Sequence, residues 1–144
     1  MFQKIALMFS FLLLAACASN ISEDFNLVAG KVMQLAPDKQ KVFIATVPAS
    51  PNMLSDAMAV GMISSGVTRS NSVENILKML PVENVSIGIS GASEAINVAT
   101  LKRALRDYEG KSNAQIYINA SSKDISELQS IASPKGITVN ALTL

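Results

Sequence analysis

The sequence predicts a small layered α/β domain: a mainly parallel sheet of about four strands with β-α crossovers, preceded by an N-terminal helix. Three observations predict it. Short runs of β-branched and aromatic residues recur, as in Lys41 to Val47 and around Ile116 and Ile118. Longer stretches between them place apolar residues three and four apart. Proline, glycine or small hydroxyl residues mark each change from one pattern to the other. Strands alternating with helices imply right-handed crossovers and parallel pairing.

The elements follow in order. Phe25, Val28, Val32 and Leu35 have helical spacing, interrupted by Gly30 and stopped near Ala36-Pro37-Asp38. Lys41 to Val47 is a strand closed by Pro48. Met53 to Ser65 reads as a helix of small and apolar residues, and Asn71-Ser72-Val73-Glu74 as a capping box opening another helix through Leu80. Val85, Ile87 and Ile89 alternate with Ser86, Gly88 and Ser90, which is the period of a strand. Ser93 caps a long helix with Val98, Leu101, Leu105 and Tyr108 as its buried stripe, ended by Gly110. A third strand holds Ile116 and Ile118. Ser121 or Ser122 then caps a helix bearing Ile125, Leu128 and Ile131, and a last strand starts at Ile137.

One face of the later strands is aliphatic. The other carries Ser86, Gly88, Ser90, Gln115, Tyr117, Asn119, Thr138 and Asn140. Parallel sheets are covered on both faces, so the small, polar face needs a closely approaching helix. The helix containing Ala57, Met58, Ala59, Gly61 and Met62 is the expected cover, since small residues permit close packing and methionine fills gaps. Tyr117 and Asn119 are the expected contact residues should this face meet another protein; Tyr108 is assigned to the core.

The chain has 144 residues, enough for one core and too few for two. Residues 1–16 have the grammar of a secretory leader: Lys4 in a short charged region, an apolar run from Ile5 to Leu14, then Ala15 and Ala16. That run is shorter than the roughly 20 residues a membrane-spanning helix needs. Lys4 is the only charge of the leader, so the remainder carries 11 basic and 11 acidic residues and lacks the basic excess of a nucleic-acid binder. Residues 17–24 form a polar tether and 25–144 the domain.

The sole cysteine, Cys17, ends Leu14-Ala15-Ala16-Cys17. This resembles the lipobox of bacterial lipoproteins. The resemblance implies that the Cys17 thiol receives a diacylglycerol and that cleavage makes Cys17 the N-terminus, so the partner it implies is a membrane. Ala18 stands where an aspartate, in lipoproteins of enterobacterial type, signals retention in the inner membrane. The implied location is the outer membrane, with the domain on its periplasmic side. An unpaired cysteine in an exported chain is thereby explained.

Catalytic devices are scarce. The sequence has no histidine, which excludes Ser-His-Asp and Cys-His nucleophiles and zinc sites of cysteine and histidine. No serine lies three residues before Lys78, Lys102, Lys111, Lys123 or Lys135, so a Ser-x-x-Lys nucleophile is missing too. No cofactor fingerprint is present. What remains are the strand-to-helix loops, since ligands of parallel sheets bind at the carboxyl ends of strands. Ser90, Gly91 and Ser93 are the candidate ligand loop, because glycine allows close backbone approach at a helix start. Asp56, Glu94 and Asp124, each near a helix start at that edge, are the candidate ligands for a hard cation. Small hydroxyls and acidic residues also serve as ordinary caps there. Lys102, Arg103 and Arg106 make a basic cluster that could touch head groups, beside Asp107 and Glu109.

The functional expectation is a lipid-anchored periplasmic protein, not an enzyme, that works by contact with a protein of an envelope complex such as a secretion, pilus or cell-wall assembly. The alternative is a small-ligand or metal-binding domain using the Gly91 loop.

Overall fold

A computed structural model describes residues 25–37, 40–48, 58, 60–64 and 70–144. The expected leader, Cys17, the tether and Asp56 lie outside the described residues. So does part of the expected helix from Met53 to Ser65.

The described residues open with helix α1 (25–35) and strand β1 (Lys41–Thr46). A short helical stretch, α2 (60–64), precedes α3 (Asn71–Met79), β2 (Val85–Ser90) and α4 (Glu94–Asp107). Then come β3 (Gln115–Ile118), α5 (Ser122–Ala132), a 3-10 turn (Ser133–Lys135) and β4 (Thr138–Ala141). The sheet has four parallel strands in the order β1-β2-β3-β4, with Phe43 beside Ile87, Ile87 beside Ile116 and Ile116 beside Val139. This is the predicted α/β architecture.

Strand order sorts the helices. Successive right-handed crossovers that always step the same way put every connecting helix on one face. Val73, Ile76, Leu101, Leu105 and Leu128 from the helices accordingly join Ile87, Ile89, Ile116 and Ile118 from the sheet in one aliphatic core. Ile63 of α2 belongs to the same core. The opposite face receives α1 instead, where Val28 and Val32 pack with Tyr117 and Leu142, flanked by Val42 and Ile44.

Two expectations are corrected here. The small, polar face is covered by α1 and not by the helix of Met58, Gly61 and Met62, whose two methionines are exposed. The reason is topological, because a crossover helix between β1 and β2 cannot reach that face under the handedness rule. Tyr117 is therefore buried, at 5 % exposure, and its hydroxyl donates to Leu35 O at 3.4 Å. It serves as packing for α1 and is not a free contact residue. Gly88 is what lets α1 come so close. A Cβ there would lie 2.8 Å from Val32 Cγ2 and 2.9 Å from Val28 Cγ1.

The caps are mostly where hydroxyls predict them. Ser93 Oγ accepts from Ile96 N at 3.3 Å, and Ser121 Oγ accepts from Asp124 N at 3.2 Å. For α3 the cap is Ser70, accepting from Val73 N at 3.3 Å, one residue before the expected box, so Glu74 falls one position past the box partner's place. Lys135 Nζ donates to Leu105 O, Arg106 O and Tyr108 O, capping the carboxyl end of α4. Gly136, at φ 82, turns the chain into β4. Among the described residues no helix is long and apolar enough to cross a membrane.

Candidate functional site

Parallel strands bring the ends of β1, β2 and β3 to one edge. There the Val47-Pro48, Gly91-Ala92 and Asn119-Ala120 segments emerge beside the starts of α3, α4 and α5. The Gly91 loop is pinned at two points. Val47 N donates to Ser90 O at 2.7 Å, and Asn97 Nδ2 donates to Gly91 O at 2.9 Å. A side chain at Gly91 has no room, since its Cβ would sit 2.3 Å from Asn97 Oδ1 and 2.6 Å from Val47 O. Glycine is required here because the domain's own Asn97 side chain and Val47 carbonyl come so close, whereas the sequence suggested room for the approach of a ligand.

A cleft of about 210 Å³ opens beside this loop, lined by Gly91, Ala92, Glu94, Asn97 and Asn119. The structure thus brings together Gly91, Glu94 and Asn119 of the predicted residues. Ser90 is buried, and the Ser93 hydroxyl is taken up by the cap. Glu94 and Asp124 converge on Ser121 and not on a shared vacancy: Glu94 Oε1 accepts from Ser121 N at 3.0 Å, and Asp124 Oδ2 accepts from Ser121 Oγ at 3.0 Å. Among the described residues no group of three or more metal-ligating side chains forms.

The basic cluster is largely paired. Arg103 Nε lies 2.6 Å from Asp107 Oδ2 while its Nη1 donates to Ile63 O at 3.2 Å, and Lys102 Nζ lies 3.1 Å from Glu127 Oε2. The hydrogen bond from Lys102 and its charge hold the Glu127 carboxyl below its ordinary value of 4.5. These charges tie α4 to α2 and α5.

Two polar groups that sequence reasoning missed are Asn97 and Thr100 of α4, with exposures of 4 % and 1 %. Asn97 Oδ1 and Thr100 Oγ1 are buried and have no hydrogen-bond partner. Most buried polar atoms are paired, so each of these is a vacancy with a chemical preference. The signal was present: the inward face of α4 runs through Ile96, Leu101, Ala104 and Leu105, and Asn97 and Thr100 fall within it. Reading the stripe from Val98 instead, which is only half-buried, hid both. Thr100 lines a second cleft of about 350 Å³, formed by the end of β1, the α2 residues Met62 and Ile63, the start of α3 and Ile96.

No protein-family model matches the chain, and neither curated proteins nor solved structures give a match. The site stands on its own geometry. The Gly91 cleft offers the carboxamides of Asn97 and Asn119 and the carboxylate of Glu94 beside apolar Val28, Ile89 and Leu144, and the second cleft offers the Thr100 hydroxyl.

Proposed function

We propose that the chain is an outer-membrane lipoprotein, anchored through Cys17 on the periplasmic side, whose domain acts by contact with a protein of an envelope complex. The observation that carries the contact reading is the outer surface of α1. Leu27 is 56 % exposed and Met33 69 % exposed, with Phe25 and Leu35 also in solvent. Lys31 is the only charged residue of that helix. Leu27 and Met33 stand on either side of exposed Asn26, Gly30 and Gln34, and large apolar side chains left in solvent on one short helix favour an apolar partner. A protein fits better than the lipid surface, because helices that lie on membranes carry a polar face rich in Lys and Arg. The position also suits a partner held in the same envelope: α1 starts eight residues after Cys17, a span of at most about 30 Å.

Photo-cross-linking in living cells tests this, with the reactive side chain placed at Leu27 or Met33 and, as a control, at Glu127. Capture of one envelope protein from α1 alone, abolished by Leu27→Asp, is the expected result. Cross-links to lipid only, or equal capture from Glu127, overturn the contact reading. The anchor is tested separately: Cys17→Ser should move the chain from the membrane to the soluble fraction. Ligand binding at the Gly91 loop is a second reading, and the partnerless Asn97 Oδ1 beside that loop favours it.

A further inference from the structure

The larger cleft at the sheet's carboxyl edge has an uneven lining. Val47, Met62, Ile63 and Ile96 make an apolar wall, and the start of α3 with Thr100 makes a donor-rich end. The first-turn amides of a helix have no acceptor within the helix. In α3 the Ser70 hydroxyl takes the amide of Val73 and the Ser70 carbonyl takes that of Glu74, which leaves Asn71 and Ser72 facing outward along the axis. The Ser72 hydroxyl is occupied, donating to Thr46 O at 3.2 Å. The Thr100 hydroxyl is not: it is 99 % buried and partnerless. Leaving such a group unpaired in an apolar wall is unfavourable, and an acceptor placed in the cleft relieves it.

We propose that this cleft is a binding site for an aliphatic carboxylate, its oxygens taking the Thr100 hydroxyl and the α3 amides and its hydrocarbon lying on Ile63 and Ile96. The donors that the described lining offers are neutral hydroxyl and amide groups beside an apolar wall, which suits a carboxylate carried on a hydrocarbon chain. The assignment is independent of the anchored, contact-making role.

The test uses the full chain in lipid nanodiscs with labelled isoleucine and methionine methyls, and hexanoate as the probe. Hexanoate should shift the Met62, Ile63 and Ile96 methyl signals, and hexanol at equal concentration should shift them far less. Thr100→Val keeps the shape and removes the donor. It should leave the melting temperature unchanged or raise it, because an unsatisfied group is lost, and weaken hexanoate by about tenfold or more. Thr100→Ser restores the donor and should restore binding. The proposal is overturned by absence of hexanoate shifts, by hexanol acting equally, or by Thr100→Val binding as tightly as the unaltered chain; the first two comparisons need no variant.

Discussion

The two faces of the sheet are built on different principles. The face bearing α2 to α5 is an aliphatic core joined through crossovers, in which α4 and α5 each link two neighbouring strands and α2 with α3 share the connection from β1 to β2. The face bearing α1 is small and polar on β2 but apolar on β1 at Val42 and Ile44, and its cover comes from outside the crossovers, held by Val28 and Val32 over Gly88 and Tyr117. Stability resides mainly on the first face. The second contributes a helix that leaves Leu27 and Met33 in solvent, as expected of an element that meets something else.

Side-chain truncation should expose this inequality most strongly. Leu101→Ala, a fully buried residue of α4, is expected to cost about 2–5 kcal/mol in chemical denaturation. Val32→Ala under α1 removes less surface and is expected to cost about 1–2 kcal/mol. Equal losses would mean that α1 is as much a part of the core as α4.

Gly88→Val sharpens the same contrast. The new side chain would meet Val28 and Val32 where a Cβ is already too close, so α1 must lift while β2 keeps its neighbours on the other face. The expected cost is about 1–3 kcal/mol. Hydrogen exchange provides the decisive readout: amides of α1 should lose protection while those of α4 and β3 keep theirs. If α4 loses protection in step, the two faces unfold as one unit.

Much of this contrast was legible in the sequence. Alternating Val85, Ile87 and Ile89, and the cap hydroxyls Ser93 and Ser121, specify strands and helix starts through local rules, and the parallel sheet follows from their order. What covers the polar face was not legible, because periodicity gives a helix an apolar stripe without saying which strand it meets. Strand order decides that, and it is a property of the whole chain. Tyr117 was misplaced for this reason. The candidate site was half legible. Glycine at position 91 follows from the need for close approach, but its reason, the carboxamide of Asn97, lies six residues on and one turn into a helix.

Lys135 offers a smaller effect on the first face. Its ammonium satisfies three carbonyls at the carboxyl end of α4, where the helix dipole also favours a cation. Lys135→Met should destabilise the domain by about 1 kcal/mol in denaturant melts and loosen the last turn of α4 without changing α1. A loss of protection in α1 would show that the two faces communicate through this helix end.

The smallest expected effect concerns charge on the outside of the same face. Glu127 of α5 is exposed, and its carboxyl is held below 4.5 chiefly by the hydrogen bond from Lys102 of α4 and then by that residue's charge. A carboxyl whose folded value is depressed binds fewer protons folded than unfolded, so stability rises with pH through that window. Its contribution is complete above about 4.5 and is lost as pH falls through the lower folded value. Carbon-detected titration of Glu127 should find the low midpoint, and Lys102→Met should return it toward 4.5. Being exposed and open to screening, the pair should matter less still at high salt. A midpoint unmoved by Lys102→Met would instead assign the shift to Lys123 and Arg106, the other cations near Glu127, and make the α4–α5 bridge a contact without energetic weight.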